Sequence, residues 1–447
     1  MRKLTYILLI FFNISYAQDI LTKDMAVKLT LENNLDIKVS ENILEISKNN
    51  SSILNSDYLP TISATSGINR NQGDVEVKTN QGISAKIDDT YNDENFGSVN
   101  IVYNLIDGRG RRYNYKKSKE LFNRTELEVK EIIENTLLQL FTVYFDFARL
   151  TKEKKILKNT LDISVERLDR VKTKYKFGQS TSLEVSSAEV DKNTDSLNYL
   201  NIIKVLSNTK RDLNLIMNVD LETDFKVVED IDFINEIEAE KFFNMGLNNN
   251  TLFQILNKDV EISDLELKAI KSTYLPTVQL RGSYGWNETI DEIAYNPVNE
   301  FYSKGISTGV NISIPIFDGG KRITATKNAR LNLENSLIQK NKNELEIGKN
   351  LRNAYETYKN NLFLLQIQEK SFQTSKLSFS KFEEKYSLGL VSSLEFRQAQ
   401  TNLLRAELLF NSSLFETKIS ELIFLKLSGE IVSLSLIHIS EPTRRVF

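Results

Sequence analysis

The chain carries one pattern twice, and that duplication limits the folds open to it more than any other feature. Tyr58-Leu59-Pro60-Thr61 returns as Tyr274-Leu275-Pro276-Thr277, and Leu31, Asn33 and Asn34 return as Leu247, Asn249 and Asn250, a shift of 216 residues. Further on, Asp107-Gly108 matches Asp318-Gly319 and Lys174-Tyr175 matches Lys385-Tyr386, while Gly178 and Ser182-Leu183-Glu184 match Gly389 and Ser393-Leu394-Glu395, all at a shift of 211. Two constant offsets mean two structural repeats, with one connection between Thr61 and Asp107 longer in the first copy than in the second.

Each copy presents its elements in the same order. A helix of about 35 residues, Lys23 to Asp57 or Glu240 to Thr273, ends at the Tyr-Leu-Pro signal, because the residue before a proline is pushed out of the α region. The period then changes to two. Ile62, Ala64, Ser66 and Ile68 alternate with Ser63, Thr65, Gly67 and Asn69, and Val99, Ile101, Tyr103 and Leu105 alternate with Ser98, Asn100, Val102 and Asn104. In the second copy Val278, Leu280, Gly282 and Tyr284 alternate with Gln279, Arg281 and Ser283, and Val310, Ile312, Ile314 and Ile316 with Asn311, Ser313 and Pro315. These read as four strands, each with one apolar and one polar face.

Asp107-Gly108 and Asp318-Gly319 are turn signals, and each opens a proline-free segment of roughly 65 residues ending at Phe177 or Leu388. With 5 Pro and 17 Gly in 447 residues, little interrupts a helix. A helix of that length spans about 100 Å, too long to curl into a compact domain. Ile133, Leu137, Leu140, Tyr144 and Phe147, like Leu351, Tyr355, Tyr358, Leu362 and Leu365, follow the alternating four-and-three spacing of a coiled-coil seam. Gly178 and Gly389 break these helices, and an antiparallel helix returns over Thr181 to Met217 or Ser392 to Leu427. The organisation expected is a signal segment 1–17, a first repeat 18–217, a linker 218–239, a second repeat 240–429 and a tail 430–447.

Arg2 and Lys3, the apolar run from Leu4 to Ile14, and the small residues Ser15 and Ala17 have the layout of a secretory signal. No later run is long and apolar enough to cross a membrane as a helix, so membrane contact would have to come from the strands. Net charge is −3, from 57 basic and 60 acidic residues mixed along the chain, which offers no field to gather nucleic acid. Cys is absent and the only histidine is His438, so thiol and histidine catalysis and Cys/His metal sites are unavailable. The carboxylates sit on helices beside Lys and Arg as solvated faces do, and no glycine-rich phosphate loop is present. No enzymatic activity, cofactor or metal is expected. The tail from Leu434 has no counterpart in the first copy, Leu436 to Arg445 reads like a translated sequencing adapter, and no function is assigned to it.

A four-stranded sheet with one polar face cannot sit in a bilayer open-edged, because its unpaired amides would face hydrocarbon. Further copies of the chain would have to close it. Three would supply twelve strands, an even number suited to a bacterial outer-membrane barrel, with Tyr284 and Trp286 in the aromatic girdle. A soluble sandwich would show the same alternation, and a structural periplasmic coiled coil or adhesin the same seams. The paired Tyr-Leu-Pro-Thr, the strand ending Pro315-Ile316-Phe317-Asp318-Gly319-Gly320 and the turn Tyr386-Ser387-Leu388-Gly389-Leu390-Val391-Ser392 together resemble the TolC family of outer-membrane efflux proteins, from Asp19 to Gly429. The fold so implied is mainly α with a membrane β part: a homotrimeric 12-stranded barrel continued by a helical tunnel, with 218–239 in an equatorial belt.

The resemblance also implies partners and sites. The partners are outer-membrane lipid, a periplasmic adaptor and an inner-membrane transporter that supplies the energy, with no nucleic acid. Adaptor docking falls on the helical tips, at Gly178, Gln179 and Ser180 and at Gly389, Leu390, Val391 and Ser392. The second tip is closer to the family pattern. The periplasmic gate falls on the returning helix just inside that tip. Glu395 matches one acidic gate position, Gln398 replaces the second, and Glu184 holds the corresponding place in the first copy. One ring of three carboxylates, rather than two rings, is the expectation.

Overall fold

The computed structural model describes residues 20–78, 80, 82–291 and 300–436. The expected signal segment 1–17 and the tail beyond residue 436, with His438, lie outside the described residues. In chain order the elements are β1 (Ile20–Leu21), α1 (Lys23–Asn33), α2 (Leu35–Asn50), a 3-10 turn (Ile53–Asn55), β2 (Thr61–Lys78), β3 (Ser84–Asp107), α3 (Gly110–Lys176), α4 (Ser182–Met217), β4 (Lys226–Val227), α5 (Glu236–Asn249), α6 (Thr251–Ser272), β5 (Thr277–Asp291), β6 (Glu300–Ser313), α7 (Lys321–Ser387), α8 (Ser393–Leu427) and α9 (Ile431–Leu436). They form two compact units. One is built from Ile43–Glu126 and Ile255–Asn341, the other from the residues up to Asn42, Leu127–Gln254 and the chain from Lys342 onward.

The helix expected over Lys23 to Asp57 is broken, and so is its copy over Glu240 to Thr273. The breaks fall at the repeated asparagines. Asn34 leaves the helical region, its side-chain oxygen accepts the Asp36 and Ile37 N–H groups at 3.0 and 3.2 Å, and its amide donates to the Ile216 carbonyl at 2.9 Å. Asn250 repeats the arrangement, capping α6 through the Phe253 N–H at 3.0 Å and donating to the Leu427 carbonyl at 2.9 Å. One side chain thus caps a helix start and satisfies an end carbonyl of the returning helix. The long helices are each 67 residues and start as expected, because Asp107 and Asp318 accept the Arg111 and Arg322 N–H groups.

In the first unit β2, β3, β5 and β6 form one antiparallel sheet in that order, which leaves β2 and β6 as its edges. The strands extend beyond the alternating core seen in the sequence, β2 to 18 residues and β3 to 24. Directly opposed residues share a face. Ala64, Val99, Tyr284 and Ile306 therefore form one row, and Ser63, Asn100, Ser283 and Ser307 the adjacent row on the opposite face. Two expectations shift. A bulge between Asn104 and Ile106 places Ile106, not Leu105, opposite Val278, and β6 ends at Ser313, so Ile314 and Ile316 follow the strand.

The second unit holds the seams. Leu137, Leu140, Tyr144, Leu351 and Tyr358 are almost wholly buried, each such side chain contributing about 2 kcal/mol by leaving water. Residues 218–239, expected to lack either pattern, hold β4, which pairs in parallel with β1, and the first turn of α5. The Tyr144 hydroxyl donates to the Leu21 carbonyl and accepts from the Val228 N–H, tying both short strands to α3. Buried Glu421 accepts from the Ile234 N–H, the Tyr358 hydroxyl and Lys418. Ile431 and Val432, inside the expected tail, are buried.

Candidate functional site

The tips are built by helix-stop chemistry. In the first, Gly178 takes φ 71° and the Gln179 N–H bonds the Lys174 carbonyl at 2.8 Å; in the second, Gly389 takes φ 76° and the Leu390 N–H bonds the Lys385 carbonyl at 2.9 Å. This is the Schellman closure, in which a left-handed glycine lets the chain turn back on the last carbonyls. Leu388, Leu390 and Leu394 stand exposed at the second tip, as Phe177 and Leu183 do at the first. Val391 does not share that exposure. It packs half-buried against Phe379, Tyr386, Phe396 and Ala399, so the apolar surface available there comes from the leucines.

Ser392 caps α8, and Glu395 completes a capping box: the Glu395 N–H donates to the Ser392 hydroxyl oxygen at 3.2 Å and the Glu395 carboxylate accepts the Ser392 N–H at 2.8 Å. That backbone N–H, with the Ser392 hydroxyl, holds the Glu395 carboxyl below its ordinary range. Gln398 is exposed and donates to Asn402 at 3.0 Å. Glu395, Gln398, Ala399 and Asn402 line one open groove of about 360 Å³ with Thr374, Ser375, Ser378 and Phe382 of α7. In the first tip Thr181 caps α4 through the Glu184 N–H, but the Glu184 carboxylate accepts from the Ser180 hydroxyl instead of closing a box.

Just inside the tips lies a buried ionic cluster that periodicity did not flag. Arg397 bonds Asp195 at 2.7 and 3.0 Å and lies 3.6 Å from Asp191, which also pairs with Arg167. Ser164 donates to Asp195, and Gln400 donates to the Thr160 carbonyl at 3.0 Å and to Ser164 at 3.3 Å. It joins α3, α4 and α8, and so ties one hairpin to the other. The four-residue spacing of Asp191 and Asp195 on α4 was the only available signal, and it looks the same as a solvated helix face.

On the sheet, Tyr284 and Trp286 lie on the apolar face, each partly exposed. Trp286 stacks on Tyr302 with ring centres 6.4 Å apart, and Lys304 lies 5.8 Å from the Tyr284 ring. The Trp286 indole covers Gly97, where a Cβ would come within 2.9 Å of its nitrogen. Arg70 and Asp93 pair on the same face, two rows farther along the strands. Along this face the rows run from apolar through aromatic to charged, with Lys304 already opposite Trp286. Among the described residues no helix is long and apolar enough to cross a membrane, and no group of His, Cys, Asp or Glu is placed to hold a metal ion.

The profile of the outer membrane efflux protein family matches residues 26–218 and 245–414. The chain belongs to that family. It is 21% identical over 407 residues to the probable efflux pump outer membrane protein TtgC and to the antibiotic efflux pump outer membrane protein ArpC, both of Pseudomonas putida, covering 85% of this chain and 77% of each relative. Its fold is that of the Campylobacter jejuni CmeC outer membrane channel (TM-score 0.76, 17% identity, 92% of this chain and 86% of that one) and of Vibrio cholerae VceC (TM-score 0.74, 13% identity, 91% and 96%). Family membership makes this chain an outer membrane efflux protein. These relatives are named as efflux pump outer membrane proteins and as an outer membrane channel.

Proposed function

We propose that three copies of the chain assemble into a passive exit duct whose barrel is closed edge to edge. The observation that carries this is the sheet: four strands with one apolar and one polar face and both edges, β2 and β6, unpaired. In hydrocarbon each open edge amide costs several kcal/mol, and three such sheets closed on one another leave none, at three times four strands. The apolar face then meets lipid, Tyr284 and Trp286 sit at its boundary, and the polar face lines water. The two repeats, 18–217 and 240–429, lie either side of the 218–239 linker, and 1–17 is removed on export.

The second tip is proposed to receive a periplasmic adaptor, with Gly389 shaping the turn and Leu388, Leu390 and Leu394 supplying exposed apolar area for a helical hairpin. Transport energy comes from an inner-membrane transporter, since an open tube has nothing to couple. Glu395 and Gln398, with Glu184 from the other tip, are proposed to face the constriction. Detergent-purified protein should run as a heat-sensitive trimer and conduct ions in planar bilayers, and deleting the gene should raise sensitivity to dyes, detergents or antibiotics, or abolish export of a protein if the duct serves a type I secretion system. A monomer without conductance would overturn the duct. Leu390→Asp should abolish adaptor cross-linking while trimers persist, and unchanged cross-linking would remove docking from this tip.

A further inference from the structure

Over four successive rows, from Gln279 to Gly285, the polar face of the sheet carries a single charge. Working along the strands from the end at which the long helices begin, its rows are Asn104, Gln279 and Asn311, then Thr61, Val102, Arg281 and Gly309, then Ser63, Asn100, Ser283 and Ser307, then Thr65, Ser98, Gly285 and Gly305. Arg281 is the only ionised side chain in these rows. It is exposed, and among the described residues its hydrogen bonds go to Gln279 Oε1 alone, at 3.0 and 2.8 Å. The nearest acid along this face toward the helices is Asp107, opposite Thr277, about 13 Å away at 3.3 Å per residue, and it is already bound to Arg111. Toward the opposite end the first acid is Glu94, three rows beyond the Ser283 row.

We propose that Arg281 is a selectivity residue of the duct. Repeated three times around the bore, it forms a fixed positive collar that favours anionic solutes and holds back cations at that level of the barrel. The inference rests on the trimeric duct reading above. A guanidinium whose neighbours on this face are amides, hydroxyls, Val102 and glycine, none of them charged, keeps its full charge available to the lumen, and Gly309 opposite it has no side chain to screen it. Three such charges act on ions that pass within a Debye length of them, about 8 Å at physiological salt, whereas charges neutralised in pairs would cancel.

The test is the reversal potential of reconstituted wild-type, Arg281→Gln, Arg281→Glu and Arg281→Lys trimers across a KCl gradient, with block by inorganic pyrophosphate as a second readout. Arg281→Gln should raise the cation-over-anion permeability ratio by about threefold, and Arg281→Glu should raise it further. Both should lose pyrophosphate block, Arg281→Lys should keep wild-type behaviour, and the shift should shrink in 1 M salt. Trimers that conduct with the same reversal potential and the same block in all four proteins would overturn the collar and leave the duct standing. Wild-type protein that forms neither trimers nor pores would instead overturn the duct, and the collar with it.

Discussion

The two helical tips carry the same short pattern, Thr-Ser-Leu-Glu and Ser-Ser-Leu-Glu after a glycine turn, yet they are finished differently. In the second, Tyr386 is 5% exposed and stacks on Phe396 at 4.4 Å between ring centres, while Arg170 of the first hairpin lies 5.1 Å over its ring and donates to its carbonyl at 3.3 Å. In the first, the matching Tyr175 is 49% exposed, and Val185 stands where the second tip has Phe396. Duplication set the turn in both copies, but one aromatic substitution and one arginine decide which tip owns a core. The second tip is a finished surface within a single chain. The first has an open flank, which in a symmetric trimer would meet the next copy.

The sharpest way to break this comparison is to remove the aromatic that the second tip has and the first lacks. Phe396→Ala takes away the stacking partner of Tyr386 in a closed cluster and should cost about 3 kcal/mol; Val185→Ala, in an open one, should cost roughly 1 kcal/mol or less. Limited proteolysis at the two tips reads the difference, and equal sensitivity of both would mean the stack does not matter. Next comes the ionic cluster behind the tips. Asp195→Ala leaves the Arg397 guanidinium short of its main partner in a buried site and should cost about 3 kcal/mol. Replacing both by apolar residues of similar volume, Asp195→Leu with Arg397→Met, should recover most of that loss in thermal unfolding. Failure to recover would show that the cluster does more than neutralise itself.

Much of this was legible because repeats and periods survive in the sequence. Asp107 and Asp318, Gly178 and Gly389, and the strand alternation all act locally, so spacing alone placed them. The double break at Asn34 and Asn250 was visible as a repeated residue but not as a break, because the local cap is only part of its cause and the rest is a bond to a carbonyl more than 170 residues away. Arg397 with Asp195, 202 residues apart, was invisible for the same reason. At the second tip Ser392 to Glu395 matches a capping box, a signal the sequence did offer, while reading Glu395 through a family position directed attention to the pore alone. The matching Thr181 to Glu184 shows that the motif permits a box without enforcing one, since Glu184 turns to Ser180 instead.

A smaller effect separates the caps themselves. Ser392→Ala should cost about 1 kcal/mol and Thr181→Ala somewhat less, because Ser392 sits in a reciprocal pair and Thr181 in a single bond. Amide exchange in the first turns of α8 and α4 resolves them, and identical protection losses would erase the distinction between the tips.

The smallest expected effect is on pH, and it sharpens what Glu395 can do at a gate. Its carboxyl is held low in the folded chain by the Ser392 N–H, so the folded form binds its proton less readily than the unfolded one. The cap's contribution is then fully present above the ordinary glutamate value of 4.5 and is lost as pH falls through the lower folded value. A carboxylate used for capping stays charged at neutral pH, so in the proposed trimer a ring of three would attract cations while each member also stabilises its turn. Glu395→Gln should therefore do two things at once: loosen the first turn of α8 in amide exchange and reduce block of single channels by trivalent cations. Acidification of the wild type well below 4.5, past the lower folded value, should reproduce both changes. Loosening without any change in block would leave Glu395 a cap only and move the constriction elsewhere.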